Sequence, residues 1–358
     1  MEYEDYLRWC AGHFEREGKV AYGMQVEDVA AGERNQDGQV LNWEVTARTQ
    51  NGELIKRRAK HVVIAVGGRP VIPQNLQGLK HVAHSSQFAS SIKQIQQREK
   101  GRQPRFVVLG NGQSAAEIYN DLTERFPESE VRLVIKGASL RPSDDSPFVN
   151  EVFDPDRVDG IYEQEASARA AALALDKGTN YGVVRLNLLE HLYDQLYLQR
   201  LQNPDPSTWR CQIMNNRVVR KAEPGTGSSI LLKFGRTTAT PNSPESEVEE
   251  IIETDYVFAA TGYQRNAHEE MLGSVKDFLH AEDNKFKIAR DYRIVMKEGG
   301  IEGGAGVWLQ GCNEGTHGLS DTLLSILAVR SGELVESMFG DAASSSSTAA
   351  FQARMSKL

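Results

Sequence analysis

The residues whose types and spacing point most directly to chemistry are three small residues in the stretch "RFVVLGNGQSAAEIYNDL" (105–122). Gly110, Gly112 and Ala115 hold the three positions of a dinucleotide-binding fingerprint. The first allows a tight turn, the second lets a pyrophosphate approach the backbone, and the third lets the helix pack closely on the strand. The N-terminus of the following helix would face the phosphates. The motif predicts a nucleotide site, although glycine turns between strand and helix are also common without one.

The strand that follows this helix, "SEVRLVIKG", ends at Lys136. An NAD enzyme usually has Asp or Glu there, where the carboxylate accepts hydrogen bonds from the ribose 2′-hydroxyl. A cation would instead pair with a 2′-phosphate, so Lys136 favours NADP(H). A solvated surface lysine is the alternative interpretation.

Composition excludes several other kinds of chemistry. The chain has 358 residues, a formal net charge of -8 and a pI near 5.6, which argue against nucleic acid or an acidic membrane surface as the main partner. No apolar run approaches the ~20 residues that span a bilayer. Cys10, Cys211 and Cys312 lie far apart, and the histidines have no metal-ligand spacing. We therefore predict a soluble intracellular protein without a metal or a dithiol centre.

The elements around the fingerprint can be outlined from periodicity and turn residues. An amphipathic helix precedes a strand meander over 19–65, with turns at Asp37-Gly38 and Asn51-Gly52, and a buried strand ends it. Gly67-Gly68 and two nearby prolines suggest a crossover between nucleotide domains, or simply a strand-to-loop exit. Near the C-terminus a strand and a glycine-rich turn lead to a helix with Ser320 as its predicted N-cap.

Two long connectors carry asparagines that could contact a ligand. The loop 140–160 is rich in turn residues yet contains an apolar island, and Asn150 follows that island. Asn180 lies in "DKGTNYG", between two predicted helices. Either asparagine could equally be a turn former or a helix cap.

Five strings, taken together and in order, resemble one family. They are "GNGQSAAE", "RPSDDSPFVNEVFDP", "KGTNYGVVR", "DYVFAATGY" and "EGTHGLSDTLLS". The chain resembles the L-ornithine N5-monooxygenases of siderophore biosynthesis, which are flavin-dependent N-hydroxylases, over nearly all of 3–340. The lysine N6-hydroxylases are near relatives, and the asparagine-bearing loops favour ornithine.

The resemblance implies an α/β fold of the two-dinucleotide-binding-domain flavoprotein type, in which a Rossmann-like NADPH domain is inserted in a partial FAD-binding domain. The implied division is 1–100 for the partial FAD-binding domain, 101–250 for the NADPH-binding domain with the substrate loops, 251–340 for the return to the FAD-binding domain, and 341–358 for a disordered tail.

The resemblance also implies which residues hold FAD and NADPH. Val26 would contact the flavin adenine, and Thr322, Leu323 and Leu324 would face the flavin ring. The NADPH residues would be Gly110, Asn111, Gly112, Gln113, Ser114, Lys136, Asn180, Tyr181 and Gly182. Thr261 and Gly262 match the "ATGY" signature of the family.

For the substrate, L-ornithine, the resemblance implies contacts from Asn150, Glu151, Val152, Phe153, Asn180 and Ser325. None is an acid or base catalyst, because the cofactors and O2 carry the difficult chemistry. The amine must be neutral to act as a nucleophile, although its pKa in water is near ~10.4. A carboxylate beside it would stabilise the ammonium form, whereas the amides of Asn150 and Asn180 can position it without that penalty.

Members of the family begin with a first fingerprint for FAD and a lysine that holds the ornithine carboxylate. The printed sequence lacks that segment, so the resemblance implies a partial FAD-binding domain. A shortened gene model, a fragment or a decayed paralogue would account for this. The alternatives are a catalytically silent NADPH-binding remnant, an L-lysine N6-hydroxylase, and a disulfide reductase, which the absence of C-x-x-C disfavours.

The ends and the assembly give the remaining expectations. The last three residues, Ser356, Lys357 and Leu358, form the tripeptide that the peroxisomal import receptor reads, so we predict a peroxisomal or cytoplasmic location. The family resemblance implies a homo-oligomer, commonly a tetramer.

Overall fold

The computed structural model describes residues 2–237, 250–282, 285–302 and 304–343. The part of the predicted tail from residue 344 onward, including Ser356, Lys357 and Leu358, lies outside these residues. The chain divides into two compact units, of which unit 1 comprises 1–67, 155–163 and 265–358, and unit 2 comprises 68–154 and 164–264. Over the ranges described, no helix is both long and apolar enough to cross a membrane.

The α-helices alternate with strands along much of the chain. In chain order they are α1 (Glu2–Arg16), α2 (Phe88–Arg98), α3 (Gln113–Arg125), α4 (Pro147–Asn150), α5 (Val158–Tyr162), α6 (Ala166–Asn180), α7 (Leu186–Gln202), α8 (Ala267–Met271), α9 (Glu314–His317) and α10 (Leu327–Ala343).

The strands are short. In chain order they are β1 (Met24–Ala31), β2 (Trp43–Thr49), β3 (Leu54–Ala59), β4 (His61–Ile64), β5 (Arg69–Pro70), β6 (Val82–His84), β7 (Phe106–Leu109), β8 (Val131–Val134), β9 (Cys211–Met214), β10 (Arg217–Pro224), β11 (Ile230–Arg236), β12 (Glu250–Thr254), β13 (Tyr256–Ala259), β14 (Tyr263–Gln264), β15 (Ala281–Glu282), β16 (Lys285–Phe286) and β17 (Gly306–Leu309).

Unit 2 is built on a five-stranded parallel sheet with the order β6-β13-β7-β8-β9. Every residue of β7 is buried, as expected for a strand covered on both faces. Phe106 and Val108 pack in one apolar cluster with α3 and α7, whereas Val107 and Leu109 pack in another with the antiparallel meander β10-β11-β12. The sheet therefore lies between a helical layer and a meander. Packing on both faces holds β7 in place, and with it the turn that follows β7.

The unit boundaries differ from the predicted domain boundaries at 100/101 and 250/251. The structure places them at 67/68 and 264/265, apart from the excursion over 155–163. The reason is that β6 and β13, which the prediction assigned to the FAD-binding domain, both pair with the central sheet of unit 2. The change of unit does occur at Gly67-Gly68, where the glycine pair suggested a crossover.

Unit 1 contains the predicted meander. The antiparallel sheet β1-β2-β3 turns at Gly38 and Gly52, which both have positive φ, at 80° and 85°. The following strand, β4, pairs in parallel with β17. It is less buried than predicted, since Val63 is 41% exposed and Ile64 is the only fully buried residue of the four, although Val62 also packs against the core.

The predicted helix start at Ser320 is wrong. Gly318, at φ 88°, ends the short helix α9, a 3-10 turn covers Leu319–Thr322, and α10 begins only at Leu327. Asp321 is buried, and its carboxylate accepts a hydrogen bond from the backbone N–H of Asn313 at 2.6 Å. That contact draws the segment inward, so Asp321 fixes a turn instead of opening a helix.

Candidate functional site

The turn after β7 is as tight as the fingerprint predicted. Gly110 has a φ of 140°, and its N–H donates to the carbonyl of Val134 at 3.0 Å. A Cβ at this position would lie 2.4 Å from the carbonyl oxygen of Ala260, so only glycine fits between the neighbouring strands. Gly112 is the N-cap of α3, with extended backbone, and a Cβ there would lie in ordinary van der Waals contact with Gly182 at 3.6 Å.

A cavity of about 580 Å³ opens at the carboxyl ends of these parallel strands, where open α/β sheets usually bind ligands. It brings together the fingerprint turn, Lys136 two residues after β8, and the segment that begins at Asn180. The residues that line it are Pro73, Ser85, Leu109–Ala115, Val134, Lys136, Asn180–Gly182, Arg217–Val219 and Ala260–Tyr263.

Two side chains of the fingerprint turn hold the neighbouring segment in place. Asn111 donates from Nδ2 to the carbonyl of Gly182 at 3.2 Å, and Gln113 accepts at Oε1 from the N–H of Arg185 at 2.8 Å. Gly182 lies in the left-handed region, at φ 71°, with Asn111 Nδ2 only 2.8 Å from where a Cβ would stand. These contacts give Asn111 and Gln113 a positioning role on one wall of the cavity.

The "ATGY" turn forms another wall. Gly262 accepts hydrogen bonds at its carbonyl from the N–H of Val71 at 3.0 Å and from the buried His84 ring at 2.9 Å. Thr261 donates from its hydroxyl to the carbonyl of Val71. The sequence singled out Thr261 and Gly262 as a signature, and the structure adds that both line the cavity that contains the fingerprint turn.

Several lining residues were missed by the sequence reasoning. Pro73 and Ser85 come from the connector before β7, and Arg217 comes from the first position of β10. No motif marks them, because they reach the cavity only through the pairing of distant segments. The positive charge of Arg217 was the one available signal, because this residue begins the strand β10, which follows the edge strand β9.

The predicted substrate loop lies in unit 2 but outside this cavity's lining. Asn150, at the end of α4, is exposed and donates from Nδ2 to the carbonyl of Asp145 at 2.9 Å. Glu151, Val152 and Phe153 form the 3-10 turn that follows. Backbone hydrogen bonds join 141–144 to 179–184, so the stretch leading to Asn150 is tied to the segment carrying Asn180. Asn180 itself lines the cavity and donates to the Thr179 hydroxyl at 3.2 Å.

The predicted flavin residues lie in unit 1. Val26 is half-buried on β1 and packs against the core of that unit. Thr322, Leu323 and Leu324 form the turn before α10, with Leu324 52% exposed and its carbonyl accepting from the Tyr3 hydroxyl at 3.3 Å. Ser325 follows and is exposed.

A buried polar cluster around Asp321 and Arg330 lies next to this turn. Arg330 donates from Nη1 to the backbone carbonyl of Asp321 and lies 3.4 Å from its carboxylate. Burial raises the pKa of Asp321, against the hydrogen bonds and charge that favour its ionised form, and burial beside Asp321 raises the pKa of Cys312 to about 12. Gln310 Nε2, Ser320 Oγ and Arg330 Nε are buried without a protein partner, which calls for water or a bound group.

A larger cavity, of about 870 Å³, lies elsewhere in unit 2, beside α7 and the edge strand β9. It contains none of the predicted site residues. Among the residues described, no group of three or more His, Cys, Asp or Glu side chains could hold a metal ion.

Comparisons with known proteins identify the family. The model of the L-lysine 6-monooxygenase/L-ornithine 5-monooxygenase family matches residues 1–265. An L-ornithine N(5)-monooxygenase from Emericella nidulans is 41% identical over 344 residues, which cover 95% of this chain and 68% of that protein. The chain therefore spans about two thirds of the length of this relative.

Solved structures agree with the sequence comparison. An ornithine hydroxylase from Pseudomonas aeruginosa superposes with a TM-score of 0.79 at 32% identity, covering 94% of this chain and 75% of that one. An ornithine N-hydroxylase from Kutzneria sp. 744 gives 0.78 at 28% identity, with 94% and 76% covered. The two-dinucleotide-binding-domain flavoprotein fold predicted from the sequence is thereby confirmed, and the chain belongs to the L-lysine 6-monooxygenase/L-ornithine 5-monooxygenase family.

Proposed function

We propose that this chain binds NADPH and FAD and hydroxylates the N5 atom of L-ornithine with O2, the first step of a hydroxamate siderophore pathway. One observation carries the proposal beyond family membership. A single cavity gathers the fingerprint turn, the cation Lys136 and the segment Asn180–Gly182, which the resemblance links to NADPH and substrate. The Kutzneria relative was solved with reduced FAD, NADP+ and L-ornithine.

The residues around the cavity fit NADPH. Gly112 has no side chain, and a Cβ there would lie in van der Waals contact with Gly182 at 3.6 Å, so the absence of a Cβ lets a pyrophosphate approach the backbone. The N-terminus of α3 supplies unpaired N–H groups and a favourable dipole. Lys136 adds a positive charge just after β8 for a 2′-phosphate.

The residues of unit 1 are compatible with FAD. The unpartnered polar atoms of Gln310, Ser320 and Arg330 lie buried close in sequence to Thr322–Leu324, and a polar cofactor would satisfy such groups. When bound, FAD supplies the activation of O2, and NADPH supplies the hydride. The protein's task is to bind, to orient and to exclude water.

Asn150 and Asn180 suit the substrate amine. Each donates a hydrogen bond from Nδ2 to a protein oxygen, which orients the amide, and the Oδ1 of each is an acceptor. An amide oxygen accepts a hydrogen bond from a neutral amine without stabilising the ammonium form as a carboxylate would. The backbone bonds between 141–144 and 179–184 keep the two loops in register.

Purified protein separates this function from a silent NADPH-binding remnant. We expect a flavin absorption spectrum after addition of FAD, and NADPH oxidation that ornithine accelerates more than lysine. Asn180→Ala should slow ornithine hydroxylation more than it weakens NADPH binding, whereas the control Asn187→Ala, an exposed amide on α7, should change neither. NADPH binding without flavin binding would favour the remnant, and faster turnover with lysine would favour lysine hydroxylation.

We propose also that the protein forms a homo-oligomer through α7. This helix buries Leu192 and Leu196, yet it exposes a stripe of Tyr193, Tyr197 and Leu201 at 62%, 49% and 61%. A helix that is apolar on two adjacent faces is usually covered on both. Tyr197→Glu should lower the mass measured by sedimentation equilibrium, and an unchanged oligomeric mass would contradict this surface.

The location is a proposal of its own. Ser356-Lys357-Leu358 supports import into peroxisomes where these residues end the chain. A fluorescent protein followed by residues 341–358 should enter peroxisomes. The same fusion without Ser356, Lys357 and Leu358 should stay in the cytoplasm. A cytoplasmic signal in both cases would favour a cytoplasmic enzyme.

A further inference from the structure

The end of β8 meets the start of β10 beside the cavity. The N–H of Arg217 donates to the carbonyl of Ile135 at 3.0 Å, and the N–H of Asn216 donates to the carbonyl of Gly137 at 3.0 Å. These two bonds flank Lys136 and bring Arg217 alongside it. Lys136 and Arg217 both line the cavity that contains the fingerprint turn.

The guanidinium of Arg217 is held in a defined orientation. Its Nε lies 3.2 Å from a carboxylate oxygen of Glu250, and its Nη1 donates to the carbonyl of Asn215 at 3.2 Å. The side chain is 21% exposed, which is well below that of a free surface arginine. On the other flank the carbonyl of Lys136 accepts from the Thr237 hydroxyl at 2.8 Å. Hydrogen bonds therefore hold the backbone at both Lys136 and Arg217 in place.

We propose that Arg217 is a second phosphate-binding residue, which together with Lys136 selects NADPH over NADH by binding the 2′-phosphate. The inference rests on the proposed NADPH site and adds to it a residue that no sequence motif marks. Lysine offers a compact point charge, whereas arginine offers a planar fork that matches phosphate oxygens. Two cations from different segments of the chain would discriminate a phosphate from a hydroxyl more strongly than one.

The test compares two small ligands that differ only in the 2′-phosphate. Calorimetry would give dissociation constants for 2′,5′-ADP and for 5′-AMP with the wild-type protein and with Arg217→Ala. We expect 2′,5′-ADP to bind about tenfold more weakly to the variant, as for the loss of one hydrogen bond to a charged group, and 5′-AMP to change less than twofold. Arg217→Lys should lie between the two. Lys221→Ala removes an exposed cation from the same strand outside the cavity and should change neither constant.

The outcomes distinguish a failure of the role proposed for Arg217 from a failure of the proposed NADPH site. Equal weakening of both ligands, or no change for 2′,5′-ADP, would overturn the role of Arg217 and leave the NADPH site intact. A wild-type protein that binds neither ligand would overturn the NADPH site, and this inference with it. If Arg217→Ala does not fold, Arg217→Lys, which keeps the positive charge, takes its place. A wild-type affinity of Arg217→Lys for 2′,5′-ADP would then contradict recognition of the phosphate by the guanidinium group.

Discussion

Alanine should have different effects at two glycines of the fingerprint turn: at Gly110 it should lower stability, and at Gly112 it should weaken NADP+ binding. In Gly110→Ala the new Cβ would stand 2.4 Å from the carbonyl oxygen of Ala260 and 3.3 Å from the Cβ of Ala115, on a backbone with φ at 140°. Backbone strain in a region that L-residues avoid costs about 1–3 kcal/mol. Crowding against a backbone oxygen, which cannot rotate away, adds about 1–3 kcal/mol.

Gly110→Ala should therefore lose about 2–6 kcal/mol of unfolding free energy, a large part of the ~5–15 kcal/mol that stabilises a typical protein. Gly112→Ala should lose much less. Its φ is -97° and its nearest neighbour would be 3.6 Å away, so the cost of alanine at an N-cap is offset by lower entropy of the unfolded chain, within about 1 kcal/mol. Its methyl group would instead occupy the space that a pyrophosphate needs.

Urea denaturation and calorimetry with NADP+ separate the two effects. We expect Gly112→Ala to retain wild-type stability and to bind NADP+ at least tenfold more weakly, which corresponds to about 1.4 kcal/mol. Gly110→Ala should lower the urea midpoint. A Gly110→Ala protein as stable as wild type would contradict the predicted crowding, and a Gly112→Ala protein with unchanged NADP+ affinity would contradict the predicted approach of the pyrophosphate.

Two further predictions concern ion pairs. Although burial acts in the opposite direction, hydrogen bonds from Arg105 lower the pKa of Asp255. That stabilisation is complete above the ordinary carboxyl pKa of ~3.9 and is lost as pH falls through the lowered pKa. Asp255→Asn should cost about 1 kcal/mol at neutral pH and nothing in strong acid, and a pH-independent difference in urea denaturation would contradict this. Arg330→Met leaves the buried Asp321 carboxylate without a counter-charge and should cost about 3–5 kcal/mol at pH 7. Since burial raises the pKa of Asp321, protonation should relieve that loss as the pH falls through the raised pKa, and a loss that does not change with pH would argue against an uncompensated charge.

Local features of the fold could be predicted because the sequence determines them locally. The buried run of β7, the turn at Gly110 and the start of α3 at Gln113 follow from hydrophobic pattern and glycine placement. The Asp37-Gly38 and Asn51-Gly52 turns of the meander follow from turn chemistry.

The features that sequence reasoning missed depend on distant parts of the chain. The carbonyl of Ala260 that crowds Gly110 comes from the turn after β13, which pairs with β7 from far downstream. The start of α10 was misplaced because Asp321, which suits the first turn of a helix, is drawn into the buried contact with Arg330. Arg217 was missed because a charged residue on a strand looks like a solvated one until its backbone is paired with Ile135.

Mass spectrometry of the product formed by the purified chain with FAD, NADPH, O2 and L-ornithine would show whether this chain hydroxylates ornithine. We predict ornithine heavier by one oxygen, hydroxylated at N5, in an amount that depends on NADPH and is greater than the product formed from L-lysine. A protein that binds FAD and oxidises NADPH, yet gives no hydroxylated ornithine, would contradict this prediction.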